Sequence, residues 1–246
     1  MPDTFDYVIV GAGSAGCVLA NRLSASRKHS VCLLEAGPPD WNPFIHIPAG
    51  FIKTLGNANI NWMYQTEPSH WTADRMIEVP RGKTLGGSSS INGHIYNRGQ
   101  RMDYDTWSQR GNQGWGYSDV LPYFKRCEQR IGEGDNTFRG RNGNLQVTDL
   151  MYSHPLCEAF MAGAEELGIP RNPDYNGKKQ EGISYVQRTT HNRRRVSTAR
   201  AFLKPAKSRP NLTVRTHAFV TKLLFDGTRT VGVEISAGGR GGQVMQ

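Results

Sequence analysis

Apolar residues come in short blocks along this chain, and the spacing within each block predicts an element. Tyr7-Val8-Ile9-Val10 and Val31-Cys32-Leu33-Leu34 are unbroken runs of the length of a buried strand. Between them Ala15, Leu19 and Leu23 recur at i, i+4 and i+8, with Val18 beside them. This predicts a helix from about Ser14 to Ala25 with that face buried. From Pro38 to Pro80 the period is lost, and Trp41, Phe44, Phe51, Trp62 and Tyr64 stand among prolines. So long an irregular stretch reads either as a lid or as a loop anchored on the core. Ser88-Ser89-Ser90 predict the N-cap of a helix continuing through Ile91 and Ile95. Ser118-Asp119 start another, running to about Glu128. Pro155 to Leu167 forms a third, with Leu156, Phe160, Ala164 and Leu167 on one face. Ile183 to Thr189 alternates like a half-buried strand of an antiparallel sheet. Ser197 caps a short helix, Thr198 to Leu203, that ends before Pro205. Leu212–Val214, Phe219–Phe225 and Val231–Ile235 read as strands, with a turn at Asp226-Gly227 joining the last two.

The first strand, helix and second strand frame a glycine turn. Gly11, Gly13 and Gly16 form G-x-G-x-x-G, and each glycine has its own task. The first permits a tight turn, the second lets a pyrophosphate reach the backbone, and the third lets helix and strand pack closely. The helix N-terminus then points free N–H groups and a positive dipole end at phosphate. Glu35 follows the second strand, 19 residues after Gly16. A carboxylate there accepts hydrogen bonds from a ribose 2′-OH and repels a 2′-phosphate. The turn alone is weak evidence among 28 glycines, but its setting between strand, helix and acid makes a dinucleotide site the favoured reading.

Composition narrows the class. With 246 residues, 37% apolar and 21% charged, the chain suits a soluble globular protein of one large or two small domains. No apolar run reaches the roughly 18 residues of a membrane helix, and no signal peptide is visible. Cys17, Cys32, Cys127 and Cys157 show no metal-ligand spacing, and no metal site is expected. A reducing compartment, most simply the cytoplasm, is the expected location. The net charge of +9 is concentrated between Glu181 and Asp226, where ten basic residues and no acidic ones occur. No aromatic residues interleave with Arg193-Arg194-Arg195, so a solvated face, or one facing an acidic region, is favoured over nucleic-acid binding.

A second informative stretch, RGKTLGGSSSINGHIYNRGQ, spans residues 81–100. Gly86-Gly87 lets backbone come close to a ligand, and the serines after it open a second anion cradle, to which Arg81 and Lys83 add charge. Asn92 is expected in the first turn of that helix, where an amide both donates and accepts. Read alone, the stretch is also compatible with a merely well-capped helix.

Together these stretches resemble the glucose-methanol-choline (GMC) oxidoreductases, FAD-dependent enzymes that oxidise alcohols. The resemblance is carried by GAGSAG at 11–16, Glu35-Ala36-Gly37 and GKTLGGSSSINGHIYNRGQRMDYD at 82–105. It continues in GWGYSDVLPYF at 114–124, HPLCEAFMAGAEELGIP at 154–170 and RRVSTARAFLKPA at 194–206. It implies an α/β fold: a Rossmann-like FAD-binding domain plus an incomplete α+β substrate-binding domain with an antiparallel sheet. The expected boundaries are 1–150 for the FAD-binding domain, with 38–80 as loop or lid, and 151–210 for the partial substrate domain. Residues 211–236 return to the FAD-binding domain, and 237–246 form a glycine-rich tail without family pattern.

The resemblance also implies which residues hold the cofactor. Gly11, Gly13, Ser14, Ala15 and Gly16, with Glu35 and Ala36, would hold the ADP half. Thr84, Gly86, Gly87, Ser88, Asn92 and Gly93 would line the pyrophosphate and flavin. The backbone at Val220 would contact adenine, although by pattern alone Val220 is equally an ordinary core valine. Family members that bind FAD covalently carry His where this chain has Ile91, so non-covalent FAD is expected, with His94 nearby as a structural or surface residue. The family's C-terminal His-His or His-Asn pair, which supplies the catalytic base, has no counterpart among the seven histidines. The expectation is therefore a truncated oxidoreductase acting on the CH–OH group of a small alcohol, inactive alone, with oxygen, a quinone or another electron acceptor. A non-catalytic FAD-binding module and an NAD-dependent dehydrogenase are the alternatives.

Overall fold

Strand β1 (Tyr7–Val10), helix α1 (Ser14–Leu23) and strand β2 (Val31–Leu34) follow one another as the apolar blocks predict. The computed structural model describes residues 4–237 and 240–245. β1 pairs parallel with β2, Tyr7 opposite Val31, and β2 pairs parallel with Leu212–Arg215, Val31 opposite Leu212. β2 is therefore central and buried along its length, which is why it reads as a continuous apolar run without alternation.

The buried face of α1 is not the expected one. Gly16, Cys17, Ala20 and Asn21 face inward, while Ala15 is exposed and Leu19 is 48% exposed. The cause is the closeness of helix to turn: a Cβ on Gly16 would lie 1.9 Å from the carbonyl oxygen of Gly11. A helix held that near turns small side chains inward, and the larger Leu19 turns out. Asn21 is tolerated there because its amide donates to the Phe202 carbonyl at 2.7 Å. Arg209 donates to the Asn21 carbonyl and Ser24 Oγ, placing a cation at the helix C-terminus.

Phe202 belongs to a π-helical turn, Ala199–Leu203, that runs straight into the α-helical turn Lys204–Ala206. The chain thus stays helical past Pro205, whose missing N–H costs little in a first turn. The strands Ala218–Asp226, Arg229–Ala237 and Arg240–Met245 form an antiparallel sheet, with Gly227 at φ 56° in the first turn. Its inner residues Ala218, Val233, Ile235 and Met245 pack with Cys32 and Leu34 of β2. Arg240–Met245, expected from the sequence as part of a glycine-rich tail, therefore adds an edge strand.

The chain divides into two compact units, Met1–Gly93 with Arg193–Gln246, and His94–Asn192. The divisions at 93 and 193 differ from the sequence expectation of 150 and 210. The second unit holds helices Arg101–Gln109, Tyr117–Cys127 and Pro155–Glu166, and a short parallel pair, Glu128–Arg130 with Leu145–Val147. Its centre is ionic. Buried Glu128 accepts from Arg98 at 2.6 Å and from Arg139, which also pairs with Asp174. The Ile183–Thr189 segment pairs only through single bridges, Arg188 antiparallel with Ile95 and Thr148 and Ile183 parallel with Arg171. Leu156, Phe160 and Leu167 are exposed, and only Met161 of the Pro155–Glu166 helix is buried. Among the described residues no helix is long and apolar enough to cross a membrane.

Candidate cofactor site

The first wall of the site is the turn after β1. Gly11 has φ +89°, a left-handed conformation that side chains resist, and its N–H donates to the Leu34 carbonyl at 2.7 Å. The turn is then pinned by Glu35. Its Oε2 accepts from the Ala12 N–H at 2.8 Å, and its Oε1 from the Gly37 N–H at 2.9 Å. Burial pushes the Glu35 carboxyl up from its ordinary value, while these donors, the Ala36 N–H and the Lys83 charge pull it back. The carboxylate still has acceptor capacity for a further donor. Beyond Ala12, a Cβ on Gly13 would meet nothing within 4 Å. Space therefore opens at the N-terminus of α1, beside the exposed Ser14.

The second wall is the turn around Gly86-Gly87. The Gly86 N–H donates to the Ala12 carbonyl at 2.7 Å, and a Cβ on Gly87 would come 2.8 Å from Gly13 Cα. The two glycine turns lie back to back, joined by backbone. The helix expected from Ser88 to Ile95 is absent. A four-residue 3-10 turn, Gly87–Ser90, ends before Ile91 and has no side-chain cap. The hydroxyls are used otherwise: Ser90 Oγ donates to the Leu85 carbonyl, Ser89 Oγ to the Gly86 carbonyl, and Ser88 Oγ accepts from the Gly82 N–H. Such local bonds compete with helix formation.

The third wall is Ala218-Phe219-Val220, with Trp62 close by. The Trp62 ring lies 5.9 Å from Phe219 and stacks on Tyr64 at 5.8 Å, and Lys83 Nζ sits 4.8 Å from it. Val220 lines the cavity and also packs on the core beside β2.

These walls enclose a cavity of about 400 Å³. Of the residues singled out in the sequence, Gly11, Gly13, Ser14, Glu35, Ala36, Gly87, Ser88 and Val220 line it. Ala15, Gly16, Thr84, Gly86, Asn92 and Gly93 do not. Gly16 is spent on helix packing, and Thr84 is buried with its hydroxyl donating to the Pro38 carbonyl at 2.8 Å. Asn92 lies beyond the short turn, its Oδ1 accepting from Arg195 at 2.8 Å. His94, expected as a structural or surface residue, is 3% exposed and so does not lie on the surface. Trp62, Gly82 and Phe219 line the cavity without having been singled out. The sequence signals for them were the aromatic content of the irregular stretch for Trp62, membership of the 82–105 block for Gly82 and adjacency to Val220 for Phe219. A larger cavity of about 640 Å³ lies in the second unit among Arg101, Tyr117 and Lys178.

Comparison with known proteins decides the lineage. The GMC oxidoreductase family matches residues 5–246. The chain belongs to the GMC oxidoreductase family. This GMC chain is 46% identical over 229 residues to the alcohol dehydrogenase [acceptor] of Pseudomonas putida, covering 93% of this chain and 42% of that protein. It is 46% identical over 233 residues to the oxygen-dependent choline dehydrogenase of Brucella anthropi, covering 95% and 42%. The crystal structure of pyridoxine 4-oxidase from Mesorbium loti superposes with a TM-score of 0.92 at 33% identity, over 98% of this chain and 47% of that one. The GMC chain thus spans about two-fifths of the length of the curated relatives it matches. Its first unit is the α/β FAD-binding fold of the family. The matched span also includes residues 237–246, in which the sequence alone shows no family pattern.

Proposed function

We propose that this GMC chain binds FAD non-covalently in the 400 Å³ cavity and serves the oxidation of a small alcohol at its CH–OH group. The observation that carries the reading is convergence. Residues from the glycine turn, Glu35, the Gly86-Gly87 turn and Val220 meet around one cavity that is open where Gly13 lacks a side chain. The N-terminus of α1 and Arg81 suit a pyrophosphate, and the remaining acceptor capacity of Glu35 suits ribose hydroxyls. Phe219 and Trp62 offer aromatic faces to an adenine beside Val220.

Ile91 supports non-covalent binding. It is 1% exposed and packs with Ile45 and Ile60, so the position is filled by an aliphatic side chain and holds no nucleophile. FAD, when bound, supplies the hydride acceptor, and the residues of this chain bind and orient it. Alcohol as substrate, and oxygen or another acceptor as oxidant, are proposed from the names of the two relatives. The proton acceptor for the alcohol is expected outside this cavity, whose lining holds no histidine among the described residues. The four free thiols fit a reducing compartment such as the cytoplasm.

The test is loading with FAD followed by gel filtration and a visible spectrum. Co-eluting flavin absorption, released entirely into the supernatant by acid precipitation, is expected. A yellow pellet would contradict the non-covalent assignment, and retention of NAD in place of FAD would contradict the cofactor.

A further inference from the structure

Arg195 is the side chain in the first unit whose charge is hardest to account for. It is 1% exposed, although the run Arg193-Arg194-Arg195 reads as a solvated patch, and its two neighbours in that run are exposed. Nε donates to the Ile45 carbonyl at 2.8 Å, and Nη1 donates to Asn92 Oδ1 at 2.8 Å and to the Ser89 carbonyl at 3.3 Å. Nη2 is buried without a hydrogen-bond partner. All three acceptors are neutral, and no carboxylate pairs with Arg195 among the described residues. Burial alone pushes its guanidinium down to about 10, so it stays charged at neutral pH.

Arg139 shows what a buried arginine in this chain looks like when the protein neutralises it: it is equally enclosed and paired with both Glu128 and Asp174. A buried cation without such a partner is costly to a fold. Arg195 does not itself line the cofactor cavity; it holds the turn behind it, because two of its acceptors, Ser89 and Asn92, flank the end of the turn whose Gly87 and Ser88 do line it. The charged side chains of that lining are Glu35 and Arg81, which offset one another. The pyrophosphate of a dinucleotide brings two negative charges.

We propose that Arg195 is a positioning residue and the buried counter-charge for the pyrophosphate, fixing the Gly87–Asn92 turn with a charge that only the bound dinucleotide balances. The inference rests on the FAD reading and deepens it. It separates two contributions that sequence inspection merges, since the phosphate-facing backbone of the glycine turns is neutral and the compensating charge lies behind them.

The experiment uses the 246-residue chain and two ligands, FAD and ADP, the second carrying the pyrophosphate without the flavin. Arg195→Met should weaken both by roughly tenfold or more, the scale of one charge-assisted contact. Arg195→Lys keeps the charge and gives up the fork, and should bind both within about threefold of the wild type. Asn92→Asp places a carboxylate of the same shape against Arg195 Nη1. It should raise the melting temperature of the ligand-free protein while weakening ADP and FAD, two changes of opposite sign. A purely structural Arg195 would move melting and affinity together, and that result overturns the proposal. So does ADP binding unchanged in both Arg195→Met and Asn92→Asp. If Arg195→Met does not fold, Asn92→Asp decides alone. Absence of FAD uptake by the wild type overturns the FAD reading and this inference together, whereas equal uptake by wild type and variants overturns only the inference.

Discussion

Glu35 is held by the backbone N–H groups of Ala12, Gly37 and Ala36 and keeps room for a further donor. Its carboxylate fixes the glycine turn through Ala12 and the start of the next loop through Gly37, and it also lines the cavity. Glu35→Ala should therefore weaken FAD binding by about 1.5–3 kcal/mol, the range of hydrogen bonds to a charged group; unchanged flavin occupancy after extensive dialysis would contradict this. The same residue sets a pH dependence. Its folded pKa is raised above the ordinary 4.5, so its ionisation opposes folding of the ligand-free protein. The penalty is absent below the unfolded value, grows as pH rises through the folded value, and is complete above it. Glu35→Gln removes this titration while leaving a pH-independent cost at the mispaired N–H. The difference in melting temperature between Glu35→Gln and wild type should accordingly shift in favour of the variant as pH rises through that window, and parallel curves would contradict the assignment. Glu35 was legible in the sequence because its distance from Gly16 is fixed by one helix and one strand. Trp62 and Phe219 were not, because chain folding between distant segments places them and no local spacing marks them.

At the scale of elements, the periodicity gave β1, α1 and β2 correctly and the inner face of α1 incorrectly. Apolar spacing marks Leu19 and Leu23, but contact with the turn is decided by Gly16, whose missing Cβ sets how near the helix lies. Gly16→Ala must drive α1 away from the Gly11 carbonyl, at a cost of about 3 kcal/mol; a urea midpoint equal to wild type would show that the turn yields instead. The turn at Gly87–Ser90 failed as a helix for a related reason. Its serines resemble caps in sequence, yet two of their hydroxyls return to carbonyls of the same turn, and such bonds are invisible to propensity. The antiparallel pair Ala218–Asp226 and Arg229–Ala237 was legible, since the Asp226-Gly227 turn is a local signal, whereas the strand Arg240–Met245 was hidden in what reads as a glycine-rich tail.

For the whole molecule, the motifs identified the cofactor unit more readily than its limits. The 82–105 block is continuous in sequence, yet the division between the two units falls inside it, after Gly93. The ionic centre of the second unit was equally hidden, because Arg98, Glu128, Arg139 and Asp174 meet from distant positions. The central claim is that the cavity between the glycine turns, Glu35 and Val220 is the FAD site, and Gly13 offers the most direct test. Gly13 has φ −73°, which any residue adopts, and a Cβ there meets no protein atom within 4 Å. Gly13→Ala should therefore leave folding intact and place a methyl group where the pyrophosphate must approach. The decisive measurement is a titration of wild type and Gly13→Ala with FAD, after confirming that the ligand-free proteins melt alike. The wild type should bind FAD, and Gly13→Ala should lose roughly tenfold or more in affinity. Equal affinities in the two proteins would show that FAD does not bind against this turn.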